Sequence, residues 1–327
     1  MDQLGIRSMI VRQTMPLKWL FYYTWRSLLF LLVISSLAAG ISKFLEKPSL
    51  IPVEAAAIFS AALSIYLGFR SNNAYDRWWE ARSIWGLLVN YSRAFTRQVL
   101  TFIESPDGSV PEEEIEQVKL ELIQRHIAFV HALRIFLRSA KSYPHEARRE
   151  LVVARNDVDE LRAFLSADEF EEVSHYQNIP NMLTLRQGIT VANLASRGLL
   201  TDYRFIQLDQ SLVEFANIQG RSERIKFTPL PRTFSFFQRV FVYMHTFIMA
   251  FTFAPIVGWW VILVTLIVNY IFITIDFVGS RTEDPFENRY DDVSLSAIST
   301  GIENTLREMI HDSYRAESVQ PCQGVLL

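Results

Sequence analysis

The side chains able to do acid–base or metal chemistry are few and badly spaced for it. His126 and His131 stand five residues apart, so on a helix they diverge, and no HExxH pair, phosphate loop or dinucleotide glycine pattern occurs. The single cysteine, Cys322, can form no internal disulfide and suits a reducing compartment. His245 falls inside an uncharged run, where it either relays protons or serves as a neutral group hydrogen-bonded to a neighbouring helix. The acidic groups at 112–116 and 157–172 read as helix starts and solvated faces. No enzyme site, cofactor or metal is expected. A net charge of −3 offers no basic face for nucleic acid.

The spacing with a physical use belongs instead to apolar residues. Ala57, Ala61, Ile65, Phe69 and Asn73 recur every four positions, with Ser60 and Ser64 beside them and Gly68 before the phenylalanine. Copies of this stripe around an axis would stack Ile65 and Phe69 as rings that water wets poorly, a constriction able to gate ions. The same small-residue spacing equally serves ordinary helix packing. Four helices of one subunit cannot enclose a hydrated pore, so the pore reading requires a closed ring of subunits.

The elements that must position this stripe are membrane helices. From Val240 to Ile275 there is no Asp, Glu, Lys or Arg, about twice the length one crossing needs, and Pro255, Gly258 and two tryptophans interrupt it. This predicts two crossings joined by a turn at 255–260. Ser27 to Ser42 is a further apolar stretch, preceded by Trp19, Tyr22, Tyr23 and Trp25 as an interfacial belt. The long aromatic-rich lead-in argues against a cleaved secretory signal. Ala55 to Phe69 is uncharged but rich in small residues, and suits a protein or water interior better than lipid. Arg7, Arg12, Lys18 and Arg26 precede the first segment, Arg70, Arg77 and Arg82 follow the second, and Arg232 and Arg239 precede the third. By the positive-inside rule these flanks, and both termini, are cytoplasmic.

Between the membrane pairs the chain is charged. The apolar positions Val118, Leu122, Ala128, Leu133 and Leu137 predict an amphipathic helix over 115–140, and Pro180 predicts a break followed by a helix through 182–193. No strand-like alternation of useful length appears, so the fold class is all-α. The expected organisation is a cytoplasmic segment 1–26, membrane helices in 27–69, a cytoplasmic helical region 70–233, membrane helices in 234–276 and a cytoplasmic segment 277–327.

Ser64-Ile65-Tyr66-Leu67-Gly68-Phe69-Arg70, followed by Tyr75-Asp76-Arg77-Trp78-Trp79-Glu80-Ala81-Arg82, resembles the neck helix and arginine-tryptophan-tryptophan signature of the bestrophin channels in their bacterial form. His126 to Arg134, Glu223 to Lys226, Thr228 to Pro231, Asp276 and Glu283-Asp284-Pro285-Phe286 resemble further family segments, in family order. The resemblance implies a homopentamer in the lipid bilayer of a bacterial inner membrane that passes small monovalent ions through an apolar neck into a cytoplasmic vestibule. It assigns Ala61, Ile65 and Phe69 to three neck rings and Ile179 to a cytoplasmic aperture. Gly68, Arg70, Asp76, Arg77, Trp78, Trp79 and Glu80 form the signature beside the neck. Ala61 replaces a commonly bulkier isoleucine, so the tightest point is expected at Ile65 and Phe69. The vertebrate relatives' calcium clasp is an unbroken acidic run. Here Glu283, Asp284 and Glu287 are parted from Asp291 and Asp292 by Asn288, Arg289 and Tyr290, so no calcium activation is expected.

Ion sign stays open between members of the family. Arg70 and Arg77 favour anions if they face a lumen, unless Asp76 and Glu80 neutralise them at helical spacing or both pairs are structural, and the cytoplasmic acids, if they line the vestibule, tilt the expectation toward monovalent cations. A non-conducting membrane scaffold would fit the same segments.

Overall fold

The computed structural model describes residues 17–45, 49, 51–138, 158–289 and 291–317, and among these there is no strand. Arg7, Arg12, Tyr290 and Cys322 lie outside the described residues, as do the side chains of Lys18, Trp19, Tyr22, Tyr23 and Arg232. The helices are α1 (Leu17–Leu45), α2 (Val53–Phe102), α3 (Glu112–Arg138), α4 (Ala167–Ser174), α5 (Ile179–Ser196), α6 (Asp202–Phe227), α7 (Arg232–Val257), α8 (Val261–Thr282) and α9 (Leu295–Met309). Short stretches of tighter helix occupy Val158–Ala163 and Gly258–Trp260. Three stretches are long and apolar enough to cross a membrane, Thr24–Phe44, Val53–Phe102 and Thr233–Thr282, the last holding both α7 and α8. The chain divides into two compact units, and α2, 50 residues long, contributes to both, with the division after Trp78.

The first unit comprises α1, α2 as far as Trp78, α7 and α8. Its interior is made of Leu31, Leu63, Leu67, Val242, Phe272 and Ile273 at one level. At another, Ala38 and Ala39 meet Ala250, Ala254 and Val261. Small residues there let backbones approach closely, which is how helices associate where lipid supplies no hydrophobic drive. The outer face is apolar as well, with Leu29, Leu32, Val33, Leu37, Leu263, Ile267 and Ile271 exposed, as a lipid-facing surface demands.

The turn between α7 and α8 differs from the expectation in one respect. Pro255 lies inside α7, and the helix ends at Gly258, whose φ of 57° no β-carbon-bearing residue adopts easily. Proline removes only the donor to the carbonyl four residues back, Phe251, and that carbonyl is approached at 3.5 Å by the Ser49 hydroxyl. The helix therefore continues through the proline.

The second unit holds the rest of α2, α3 to α6 and α9. Trp85, Phe95, Phe129 and Phe215 are fully buried in it, each contributing about 1.5–3 kcal/mol of burial. Ser166, Asn178 and Thr201 cap α4, α5 and α6, each accepting a backbone N–H from the first turn. Pro180 occupies the start of α5, as its lack of an N–H favours. The acids of 112–114 and 168–169 do lie in the first turns of α3 and α4. The amphipathic reading of α3 holds only for its first half. From Arg125 to Arg138 all residues but Phe136 are buried, because α5, α6, α9 and the turn at Val158–Ala163 pack around it. Its polar side chains are therefore bonded inside rather than solvated.

Candidate functional site

The α2 stripe points away from its own unit. Leu63, Leu67, Arg70 and Ala74 are buried against α1, α7 and α8. Ala61, Ser64, Gly68, Asn72, Asn73 and Asp76 are exposed, and Ile65 and Phe69 are 62% and 67% exposed. No packing among the described residues accounts for two large apolar side chains left bare at one-turn spacing. Among the described residues nothing within 4 Å would meet a β-carbon at Gly68, so packing among them does not explain the glycine either.

Arg70 occupies the opposite, buried face. Its guanidinium donates through Nη1 to Gln238 Oε1 at 2.6 Å and Asp276 Oδ1 at 3.1 Å, and through Nη2 to Ser235 Oγ at 2.8 Å and Glu283 Oε2 at 2.9 Å. One planar fork thus ties α2 to α7, to α8 and to the residue that ends α8. Of the two roles open to Arg70, a lumen charge or a structural group, this geometry fits the structural one, with Asp276 and Glu283 as its carboxylates in place of Asp76. A guanidinium with two carboxylates inside the unit is satisfied there, and local spacing on α2 has no part in it. Arg77 donates through Nε to the Glu283 carbonyl at 2.7 Å, a cation at the negative end of α8. Tyr75 stacks on Trp78 with ring centroids 6.2 Å apart. Trp79 is exposed, and Glu80 accepts from Arg224, with Arg221 3.8 Å away. Asp76, exposed on the same face as Ile65 and Phe69, has no hydrogen bond or ion pair among the described residues.

Ile179 is the first residue of α5 and half-buried, followed by buried Pro180. Its position is held by Asn178, whose Oδ1 accepts from the Asn181 N–H and from Gln219 Nε2, and whose Nδ2 donates to Glu223. The structure does not bring Ile179 into the same unit as the α2 stripe.

His126, His131 and His245 are each partnered. His245 is buried, its Nδ1 2.7 Å from Asn269 Oδ1 and its Nε2 2.7 Å from Ser60 Oγ. It joins α7 to α8 and α2 as a hydrogen-bonded group. His126 is caged by Phe95, Phe129 and Phe215 and bonds Ser92 at 2.9 Å, and burial pushes its pKa down to about 3. His131 turns instead to Glu303 at 3.0 Å. After α8, Glu283 is engaged by Arg70 in one unit, and Glu287 by Lys226 Nζ at 2.7 Å in the other. Among the described residues no three His, Cys, Asp or Glu side chains are gathered as a metal would need.

Sequence reasoning identified the stripe and the signature but missed Ser235 and Gln238. Their signal was present: they are polar side chains at the start of an otherwise aromatic and aliphatic helix, a place where polar groups usually have a partner.

A protein-family model described as Bacterial/Fungal Bestrophin protein matches residues 21–308. The chain is 32% identical over 254 residues to a voltage-dependent anion channel-forming protein of Ralstonia nicotianae, covering 77% of this chain and 76% of that protein. It is 28% identical over 252 residues to the voltage-dependent anion channel-forming protein YneE of Escherichia coli K12, covering 77% and 75%. In fold it is similar to the crystal structure of a bacterial bestrophin homologue from Klebsiella pneumoniae, with a TM-score of 0.74 at 24% identity over 88% of this chain and 98% of that one. With its apolar helices and with the family model spanning most of its length, the chain belongs to the bacterial and fungal bestrophin family of ion channels, not of enzymes.

Proposed function

We propose that the chain assembles as a homopentamer whose five α2 helices enclose a neck, with Ala61, Ile65 and Phe69 as successive apolar rings through which small monovalent ions pass. The observation that carries this reading is the bare α2 face: Ile65 and Phe69 exposed, Leu63 and Leu67 buried behind them. A hydrophobic stripe with no cover in its own subunit is what a shared axis would use, and small Ala61 leaves Ile65 and Phe69 as the narrowest level. In this reading α1, the first part of α2, α7 and α8 are four crossings of a bacterial inner membrane. The charged helices 70–233 and both termini are cytoplasmic, and Ile179 lines a second aperture. No cofactor is involved.

Cation conduction is the favoured sign. Arg70 and Arg77 are turned onto Asp276 and Glu283, which removes them from the exposed face. Asp76 stands seven residues beyond Phe69, within about 20° of the same face and roughly 10.5 Å further along. Five carboxylates about 8 Å from a central ion, in water and physiological salt, attract a cation by about 1 kcal/mol after screening, about a fivefold preference. The opposite sign has a specific observation in its favour, since the relatives in Ralstonia nicotianae and Escherichia coli are named as anion channel-forming. Reversal potentials of purified protein in planar bilayers under asymmetric KCl decide between them. Wild type should reverse toward the potassium potential and Asp76→Asn should lose most of that displacement. Reversal toward the chloride potential would overturn the sign, and absence of current together with a monomeric mass would overturn the channel.

A further inference from the structure

His245 lies in the first unit, 0% exposed, with a hydrogen bond at each ring nitrogen. Its tautomer follows from the neighbours. Asn269 gives its Nδ2–H to the Thr265 carbonyl at 3.0 Å, so its Oδ1 is what faces His245, and an amide oxygen only accepts. The proton of a neutral imidazole is therefore on Nδ1, and Nε2 has to accept from the Ser60 hydroxyl. Ser60, however, stands 2.7 Å from the Ala56 carbonyl as well as 2.7 Å from Nε2. One hydroxyl proton cannot fill two contacts that each have the length of a full bond. Thr246, which shares its proton between Val242 and Asn269, does so at the longer 3.1 and 3.3 Å.

The contacts at Nδ1, at Nε2 and at Ala56 thus need three protons, and neutral His245 with Ser60 holds two. With Nε2 bare, Ser60 donates to it, and the Ala56 carbonyl keeps its helical N–H. With Nε2 protonated, the ring donates to the Ser60 oxygen, and Ser60 turns its proton to Ala56. A second proton is accommodated by rotating one hydroxyl, and no bond to the ring is lost. A buried charge is tolerated where it is hydrogen-bonded, and both N–H groups of the charged ring have acceptors here.

No fixed charge competes at this level. Ser27 to Ser42 of α1, Ala55 to Phe69 of α2, Val240 to Val257 of α7 and Val261 to Ile275 of α8 hold no Asp, Glu, Lys or Arg. Phe59 stacks on the imidazole at 6.1 Å and Phe272 meets it edge to face at 4.8 Å. The other titratable groups of these stretches, Tyr66, Tyr243 and Tyr270, make no hydrogen bond to it among the described residues. Ser60 is half-buried next to exposed Ala61, whereas Asn269 is fully buried, so protons reach the ring from the side of the α2 stripe.

We propose that His245, Ser60 and the Ala56 carbonyl form a proton-binding site that places one positive charge per subunit behind the Ala61 level. On the neck reading above, on which this consequence rests, acidification then lowers cation conduction.

The test is nitrogen-15 NMR of the histidine side chains in the full-length protein in lipid, titrated from about pH 8 to about pH 4, with His245 assigned by comparison with His245→Gln. At the alkaline end His245 should show a protonated Nδ1 and a bare Nε2, and acidification should protonate Nε2 saturably. Ser60→Ala, which removes the acceptor of the second proton, should weaken its binding about tenfold or more. Should His245→Gln not fold, Ser60→Ala supplies the assignment and the comparison, since His245 is the histidine that Ser60 touches. A neutral ring protonated at Nε2, no second proton over this range, or uptake unchanged in Ser60→Ala would each overturn the site. Potassium currents in planar bilayers, recorded in Asp76→Asn so that this carboxylate does not titrate, should fall about twofold or more across the same range. Adding His245→Gln or Ser60→Ala should remove most of that fall, and an equal fall in both would overturn the effect on conduction. Absence of current at every pH beside an intact NMR titration would uphold the site and overturn the neck reading.

Discussion

Replacing Arg70 with methionine tests whether this signature arginine is a structural tie or a lumen charge. In the structure it is 7% exposed and gives four hydrogen bonds of 2.6–3.1 Å, two of them to carboxylates that are themselves 16% and 9% exposed. Arg70→Met keeps much of the apolar stem but takes from Asp276 and Glu283 the guanidinium that hydrogen-bonds both buried carboxyls. Breaking a buried pair in this way costs about 3–5 kcal/mol, against a typical total of about 5–15 kcal/mol. At roughly 2–4 °C per kcal/mol, the unfolding midpoint should fall by about 6–20 °C. Tryptophan fluorescence of detergent-purified protein during heating reads this directly. Adding Asp276→Asn and Glu283→Gln to the same chain should recover more than half of the loss, because carboxamides leave no net charge behind. Asp76→Asn, exposed on the same helix, should stay within about 0.5 kcal/mol of wild type. A lumen-facing Arg70 would be solvated and cheap to remove, so an unchanged midpoint in Arg70→Met, or a triple variant no better than the single, would refute the tie.

Ile65→Ala and Phe69→Ala should each raise single-channel conductance, and Ala61→Ile should lower it; unchanged currents in all three would remove these residues from the neck. His126 remains neutral in the fold to about pH 3 but charges near pH 6.5 when unfolded, so the unfolded state binds the extra proton and stability falls as pH drops through that window. His126→Gln, which retains a partner for Ser92, should flatten the acid limb of a stability–pH profile by about 1.4 kcal/mol per pH unit, and an identical slope would contradict the buried neutral state. With Glu283 held by Arg70 and Glu287 by Lys226, chelating calcium should leave bilayer currents intact, and their loss would show that the loop binds the ion after all.

The two kinds of reading succeeded at different places. The recurrence of Ala57, Ala61, Ile65 and Phe69 was visible as a period, but a period of four serves packing and pore lining alike, and the burial of Leu63 and Leu67 adds that Ile65 and Phe69 are not on the face packed within their own unit. The break at Pro180 and the acidic starts of α3 and α4 were local signals, and they appeared where local physics puts them. Pro255 was over-read, because a missing donor ends a helix only when the orphaned carbonyl has no other partner, and here Ser49 comes from elsewhere in the chain. In the second half of α3, polar residues pointed to a solvated face, yet Arg125, His126, His131, Arg134 and Arg138 are all inside, each facing partners from other elements.

By itself the sequence determined what nearest neighbours and composition control: helices throughout, apolar stretches of membrane length, caps, and a stripe of fixed period on α2. Tertiary structure alone decided which face of each helix is covered and which charge answers which. Arg70 finds Gln238, Asp276 and Glu283 from 168 to 213 residues away, and no spacing along α2 encodes that distance. Coulomb attraction and burial act through space, so the same arginine reads as a lumen charge on a lone helix and as an internal clamp once α7 and α8 close over it.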